Sequence, residues 1–188
     1  MNLSLKPISE AYAREIASWQ YESPYDIYGH PPSDQEDAIA YLMADENNVF
    51  AVIRDGEVIG FRSFGEDGQV PGGKYEEGYL DTGGGLRPDL TGKGMGEEVI
   101  RKGLEIGSDY YVADRFRVTV AAFNQRALKV CRRIGFREVQ RFRRQVGSEQ
   151  FAILVLDGNE WSHRVAGRQI LPATRFIRLT WKFRRPRG

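Results

Sequence analysis

Three glycines fall within five positions in the segment Thr91-Gly92-Lys93-Gly94-Met95-Gly96-Glu97, directly before an amphipathic run. Glycine removes the Cβ where a ligand must come close to backbone, and the first amides of a following helix have no partner within that helix. Together with the positive end of the helix dipole, those amides make a site for phosphate. Two familiar phosphate loops do not fit. A Walker A loop needs glycine five residues before the Gly-Lys pair and Ser or Thr after it, where this chain has Arg87 and Gly94. A dinucleotide loop reads Gly-x-Gly-x-x-Gly with an acidic strand end about 20 residues on, and the spacing here is different. The turn either binds an anion by another pattern or is a glycine-punctuated loop without a ligand.

Periodicity supplies the elements that must position this turn. Residues 3–8 alternate as a strand, and Ser9 caps a helix to about residue 19 with Tyr12, Ile16 and Trp19 on one face. Residues 21–32 are too rich in proline for a helix and read as a loop bearing Tyr21, Tyr25 and Tyr28. Ser33 or Asp34 then caps a helix ending at Met43. Residues 48–54 and 57–64 form strands joined at Asp55-Gly56, a two-residue hairpin signal. An extended segment at 75–86 is interrupted by Gly83-Gly84-Gly85, which marks a bulge or a close backbone approach. Val99, Ile100, Leu104 and Ile106 stripe a helix over 97–110. A strand at 115–122 follows, then a helix capped by Asn124 and closed by Gly135, then an antiparallel pair at 136–146 and 150–156. The order predicts a mixed α/β fold, a mainly antiparallel sheet flanked by helices, with no second domain.

At 188 residues the chain is long enough to bury a core without staples. Its one cysteine, Cys131, favours a reducing cytoplasm, and residues 1–9 show no long apolar run of the kind found in a signal peptide or membrane span. No metal-ligand spacing stands out. Eight of the 27 basic residues and none of the 26 acidic ones fall after Glu160, leaving residues 1–160 with a net charge of −7. That basic extension, residues 161–188, is either a contact for nucleic acid, ribosome or an acidic partner, or a solvated segment packed on the body, which is the favoured reading.

Residues 91–96 read Thr-Gly-Lys-Gly-Met-Gly, and residues 124–136 read Asn-Gln-Arg-Ala-Leu-Lys-Val-Cys-Arg-Arg-Ile-Gly-Phe. In that order, a helix and a strand apart, they resemble the acyl-CoA pyrophosphate turn and the Asn-x-x-Ala motif of the Gcn5-related N-acetyltransferase (GNAT) superfamily. Members of this superfamily transfer an acyl group from coenzyme A to an amine. The resemblance implies a GNAT-like domain over residues 1–160 with acetyl-CoA as acyl donor. It places the main chain of Thr91, Gly92, Lys93, Gly94, Met95, Gly96 and Glu97 around the diphosphate, with Asn124 and Ala127 contributing from the second motif. It also implies that the strand before the turn carries a bulge and splays from its neighbour, so that Gly84 and Leu86 meet the pantetheine arm.

An amine must lose its proton before it attacks a thioester, and a lysine-like group titrates at about 10.4. Asp81, on the strand leading to the cleft, is the expected base, with Glu76 and Glu77 at the start of that segment; the alternative is a carboxylate satisfied by solvent. The superfamily often protonates the leaving thiolate with a tyrosine, and Cys131 stands at that position, either as the donor or as a packed core residue. The branch acting on ribosomal protein N-termini tends to carry Glu where this chain has Thr119. Direct attack by a bound amine remains a sufficient mechanism. Tyr21, Tyr25 and Tyr28 are expected to line the acceptor site, with Asp26 or Glu22 recognising a cation. The expected activity is acetyl transfer to a primary amine of a small molecule or peptide. The alternative is a degenerate acyl-CoA sensor or a nucleic-acid-associated protein without turnover.

Overall fold

The computed structural model describes residues 3–158. In chain order the elements are β1 (Leu3–Pro7), α1 (Glu10–Ala17), α2 (Gln35–Met43), β2 (Phe50–Arg54), β3 (Glu57–Phe64), β4 (Leu80–Leu86), α3 (Gly96–Tyr111), β5 (Phe116–Ala121), α4 (Gln125–Ile134), β6 (Arg137–Arg143) and β7 (Gln150–Leu156). Local chemistry accounts for most of their boundaries. The Ser9 side chain accepts the Tyr12 amide at 3.4 Å to start α1, and Asn124 accepts the Ala127 amide at 3.1 Å to start α4. Gly135 ends α4 at φ 121°, a conformation that costs glycine little. Asp55 and Gly56 both take positive φ, as a tight hairpin between β2 and β3 requires. Asp34 occupies the cap position of α2 without capping it; its Oδ1 instead accepts from the Ser33 hydroxyl at 2.7 Å.

The sheet runs β1-β2-β3-β4-β5-β7-β6. Every neighbouring pair is antiparallel except β4 and β5, which are parallel. Alternation along the strands divides the core. Ala51, Ile53 and Val58 pack with Ala13, Ile16 and Leu42 under α1 and α2. Val52 and Ile59 face the other way, toward Val99 of α3. Leu104, Leu128 and Ile134 from α3 and α4 close over Phe116, Val118 and Leu154 on that second face. The expected strand at 75–86 is shorter than its composition suggests. Residues 75–79 stay outside the ladder, with the Tyr79 ring beneath the Arg115 guanidinium at 4.0 Å and Arg117 over Tyr75 at 4.9 Å.

Between β4 and β5 only two residue pairs meet, Leu80 with Phe116 and Asp81 with Arg117. Past that point β4 continues to Leu86 paired with β3 alone, and β5 continues to Ala121 paired with β7 alone. The centre of the sheet therefore opens into a wedge. Among the described residues no helix is long and apolar enough to cross a membrane. The expectations for residues 161–188 lie outside the described residues.

Seating α3 on this sheet depends on Gly107, where a Cβ would lie 2.5 Å from Cε1 of the fully buried Phe116 ring. Gly107→Ala raises helix propensity by about 1 kcal/mol, but overlap with a ring that has no room to move costs about 1–3 kcal/mol. The overlap dominates, so the urea midpoint of this variant is expected to fall at unchanged m-value.

Candidate active site

At the apex of the wedge a buried ion pair ties β4 to β5. Arg117 Nε reaches Asp81 Oδ1 and Nη2 reaches Oδ2, both at 2.6 Å, and each residue is about 5% exposed. Gln69 donates to Asp81 Oδ2 at 2.8 Å, and Arg117 Nη1 donates to the Glu76 carbonyl at 2.7 Å. The planar guanidinium matches the carboxylate with two parallel bonds. This corrects the expectation for Asp81: it is the enclosed partner of a fixed cation, without the free, substrate-facing oxygen a base needs. Glu76 and Glu77 lie in the irregular segment before β4.

For the glycine triplet the structure separates the two readings, a bulge and a close backbone approach. The β3–β4 register runs without interruption from Phe64–Thr82 to Gly60–Leu86, so β4 carries no bulge; the irregularity lies between Val52 and Ile53 on the β2–β3 side. The glycines serve close approach instead. A Cβ at Gly84, whose φ is +143°, would stand 2.3 Å from the Phe61 carbonyl oxygen. One at Gly83 would meet Ser63 Oγ at 2.7 Å, and one at Gly85 would meet the Phe61 ring at 2.9 Å. Leu86 ends the strand with its carbonyl accepting the Tyr21 hydroxyl at 2.8 Å. Burial pushes that phenol up to about 12.

Beyond Leu86 the chain makes a single 3-10 turn, Pro88–Leu90, and enters the glycine turn. Thr91 Oγ1 donates back to the Pro88 carbonyl at 2.8 Å. Gly92 and Gly94 hold φ of +75° and +83°, and nothing lies within 4 Å of a Cβ built at Gly94. Among the described residues the amides of Gly94, Met95, Gly96, Glu97 and Glu98 have no hydrogen-bond partner, while Val99 is the first to bond back, to the Met95 carbonyl at 3.2 Å. Lys93 is exposed at the tip of the turn. The Glu97 carboxylate would oppose an anion here, but Arg101 at 2.8 Å and Arg133 at 3.5 Å engage it. The Arg101 hydrogen bond, first among these causes, holds it below the usual carboxylate range.

Asn124 and Ala127 are brought to the opposite lip, where they form the cap of α4. Between them stands Arg126, which the sequence reading did not single out. Its guanidinium lies 3.9 Å from where a Gly92 Cβ would be, and 4.9 Å over the Tyr25 ring. A basic residue in the first turn of the second motif's helix was the available signal. Tyr25 and Tyr28 pack on Phe123, just past β5, at centroid distances of 5.8 and 6.1 Å. The loop over 21–32 therefore spans the mouth of the wedge from Leu86 to Phe123. Asp26 begins a 3-10 turn in this loop and is exposed, as is His30.

Two further groups bear on chemistry. Cys131 is 2% exposed among Leu104, Leu128 and Phe136, and burial pushes its thiol up to about 11 against the opposing pull of Arg62. Asp67, also missed from the sequence, projects from the turn between β3 and β4. Its Oδ1 accepts the Tyr41 hydroxyl, and its Oδ2 lies 3.5 Å from a Cβ position at Gly83. The buried Ser63 Oγ beside it has no partner among the described residues. A cavity of about 430 Å³ opens on the Asp81 face of the sheet, with Glu76, Arg117, Gln140 and Ile153 in its walls.

A family model described as an acetyltransferase (GNAT) domain matches residues 2–137. The chain belongs to the GNAT acetyltransferase family. Among solved structures it is similar to aminoglycoside acetyltransferase AAC(6')-Ib in complex with coenzyme A and kanamycin, at TM-score 0.70 and 17% identity, covering 86% of this chain and 98% of that one. A spermidine N-acetyltransferase SpeG chimera from Vibrio cholerae and hSSAT gives a TM-score of 0.66 at 16% identity, with 87% of this chain and 100% of that one covered. A GNAT-family acetyltransferase from Bacillus anthracis gives 0.64 at 16%, with 85% and 96% covered. At these identities the likeness establishes a shared fold. No curated protein gives a significant sequence match.

Removing one partner of the apex pair leaves an uncompensated buried charge. Asp81→Ala is therefore expected to cost about 3–5 kcal/mol in denaturant unfolding, while Asp81→Leu combined with Arg117→Met costs far less. For Cys131, a raised thiol pKa means that ionisation favours the unfolded chain as pH climbs from about 8.5 toward 11. At pH 8 the native thiol is therefore held protonated as well as buried. Mass spectrometry should find Cys131 unmodified by iodoacetamide at pH 8 under native conditions, and rapidly alkylated in denaturant.

Proposed function

We propose that this protein is an N-acetyltransferase that passes an acetyl group from acetyl-CoA to a primary amine of a small molecule or peptide by direct attack. The observation that carries the reading is the wedge between β4 and β5, whose outer end abuts the unpartnered amides of Gly94 to Glu98. The open space at Gly94 fits a diphosphate, and the edge of β4 past Asp81 has main-chain groups free of β5 for the pantetheine amides. Arg126 adds a cation beside the turn. When bound, acetyl-CoA supplies an activated acyl group and a thiol leaving group.

The acceptor approaches from the opposite face, where Asp67 takes the proton of the incoming ammonium through water and Tyr41 orients the carboxylate. Tyr21 roofs this side through its bond to Leu86, and Tyr25, Asp26 and Tyr28 form the outer wall. The cavity beside Glu76 gives room for an acceptor larger than a simple amine. A cationic acceptor matches the net −7 of residues 1–160 and the amines named for the structural neighbours, an aminoglycoside and spermidine. A cytoplasmic location suits the lone buried thiol. The enclosed Asp81 and Cys131 favour a second reading, an acyl-CoA sensor without turnover.

One assay separates them. Incubation with acetyl-CoA and a panel of polyamines, aminoglycosides, amino acids and peptides should release free thiol and yield a singly acetylated product by mass. Asp67→Asn should lower kcat about 100-fold while leaving coenzyme A affinity unchanged. Coenzyme A binding without product from any amine selects the sensor.

A further inference from the structure

On the α3 face of the sheet sits a cation that the packing does not explain. Arg62 of β3 is about 5% exposed, and its Nη2 donates to Thr82 Oγ1 at 2.7 Å. Thr82 in turn donates to the Ser63 carbonyl at 2.9 Å. Arg62 Nε is buried with no partner, and no carboxylate of the described residues pairs with this guanidinium. Two glycines make its niche. A Cβ at Gly103 of α3 would lie 2.8 Å from Nε, and one at Gly84 would lie 3.0 Å from Nη1.

Gly84 fixes where this charge is directed. It is exposed, it lies on β4 past the last residue paired with β5, and Nη1 sits against it. Leu86 touches the start of α3 near Gly96, so Gly84 is two residues, or about 7 Å, deeper into the wedge than the diphosphate turn. A buried charge without a counter-ion is strongly unfavourable. Burial brings the guanidinium down to about 10, which leaves it cationic at neutral pH. An anion formed deep in the wedge would compensate it.

Resting on the activity proposed above, we infer that Arg62 is the electrostatic partner of the coenzyme A thiolate released on acetyl transfer. The amine lone pair forms the new C–N bond, the C–S bond breaks, and its electron pair leaves on sulfur. The proton taken from the ammonium leaves through Asp67 to bulk water before attack, and the second proton, left on nitrogen as the C–N bond forms, follows the same path. Sulfur departs as an anion facing the guanidinium, so no side chain has to protonate it. Cys131 is poorly suited to that task, since a thiol at about 11 is a weaker acid than a free thiol at about 8.5.

The test needs no knowledge of the acceptor. Free coenzyme A is bound to the full-length protein, and its thiol is titrated by thiolate ultraviolet absorbance, with desulfo-coenzyme A complexes as the reference. In the wild type the bound thiol should ionise about one pH unit or more below free coenzyme A. Arg62→Met should abolish that shift, and Arg62→Lys should retain part of it. A bound thiol that ionises at or above the free value overturns the inference from the wild type alone, whether or not a variant folds. A shift that persists in Arg62→Met overturns it as well. Absence of any coenzyme A uptake overturns the proposed activity and this inference together, whereas binding with an unshifted thiol overturns the inference alone.

Discussion

The Asp81–Arg117 pair is the constraint on which the rest of the site depends. A parallel contact of two residues is too short to hold the middle of a seven-stranded sheet by main-chain bonds alone. The bidentate bridge fixes that register and reinforces the one stretch where the two strands pair. Against well-packed apolar residues such a pair brings little net stability, yet losing either partner is costly. Its value here is geometric. With β4 held by β3 as far as Leu86 and β5 held by β7 as far as Ala121, two strands tied only at their starts must part.

Features written in local chemistry were legible in the sequence. The caps at Ser9 and Asn124, the glycine stop at 135, the Asp55-Gly56 hairpin and the open turn at Gly92 and Gly94 each depend on a few neighbouring residues. Features that depend on distant partners were not. Nothing near Asp81 announces that Arg117, 36 positions on, will enclose it. Asp67 reads as one acid in a polar turn until Gly83 and Tyr41 come beside it. Arg62 reads as the polar member of an alternating strand, because the glycines that admit it lie 22 and 41 positions away. The glycine triplet was recognised as unusual, but its cause is contact with β3 rather than an extra residue in the ladder.

The sheet also sorts charge. On the α3 and α4 face lie the helix start at Gly96, Arg126 and Arg62, a series of positive groups suited to an anionic donor. On the other face Asp67, and at the mouth the exposed Asp26 and Glu22, suit a cationic acceptor. The proposed reaction joins an anion and a cation, and glycines at 83, 84 and 85 keep the partition between them thin. Side chains on either face would fill it, as the short distances to Ser63, the Phe61 carbonyl and the Phe61 ring make plain.

Magnitudes separate the two ends of the wedge. At the mouth, the loop over 21–32 is held by the Tyr21–Leu86 hydrogen bond, by Tyr25 and Tyr28 on Phe123, by the Asn124 side-chain amide donating to the Tyr28 hydroxyl at 3.4 Å and by Arg126 over the Tyr25 ring. These interactions are worth about 1 kcal/mol each. At the apex, breaking the ion pair costs about 3–5 kcal/mol. The mouth contacts are separate and break one at a time, so the tyrosines leave Phe123 without exposing a buried charge. The apex keeps its register as they do so. A ligand entering beside Gly94 displaces contacts that are individually weak and meets, deeper in, a backbone that does not have to move.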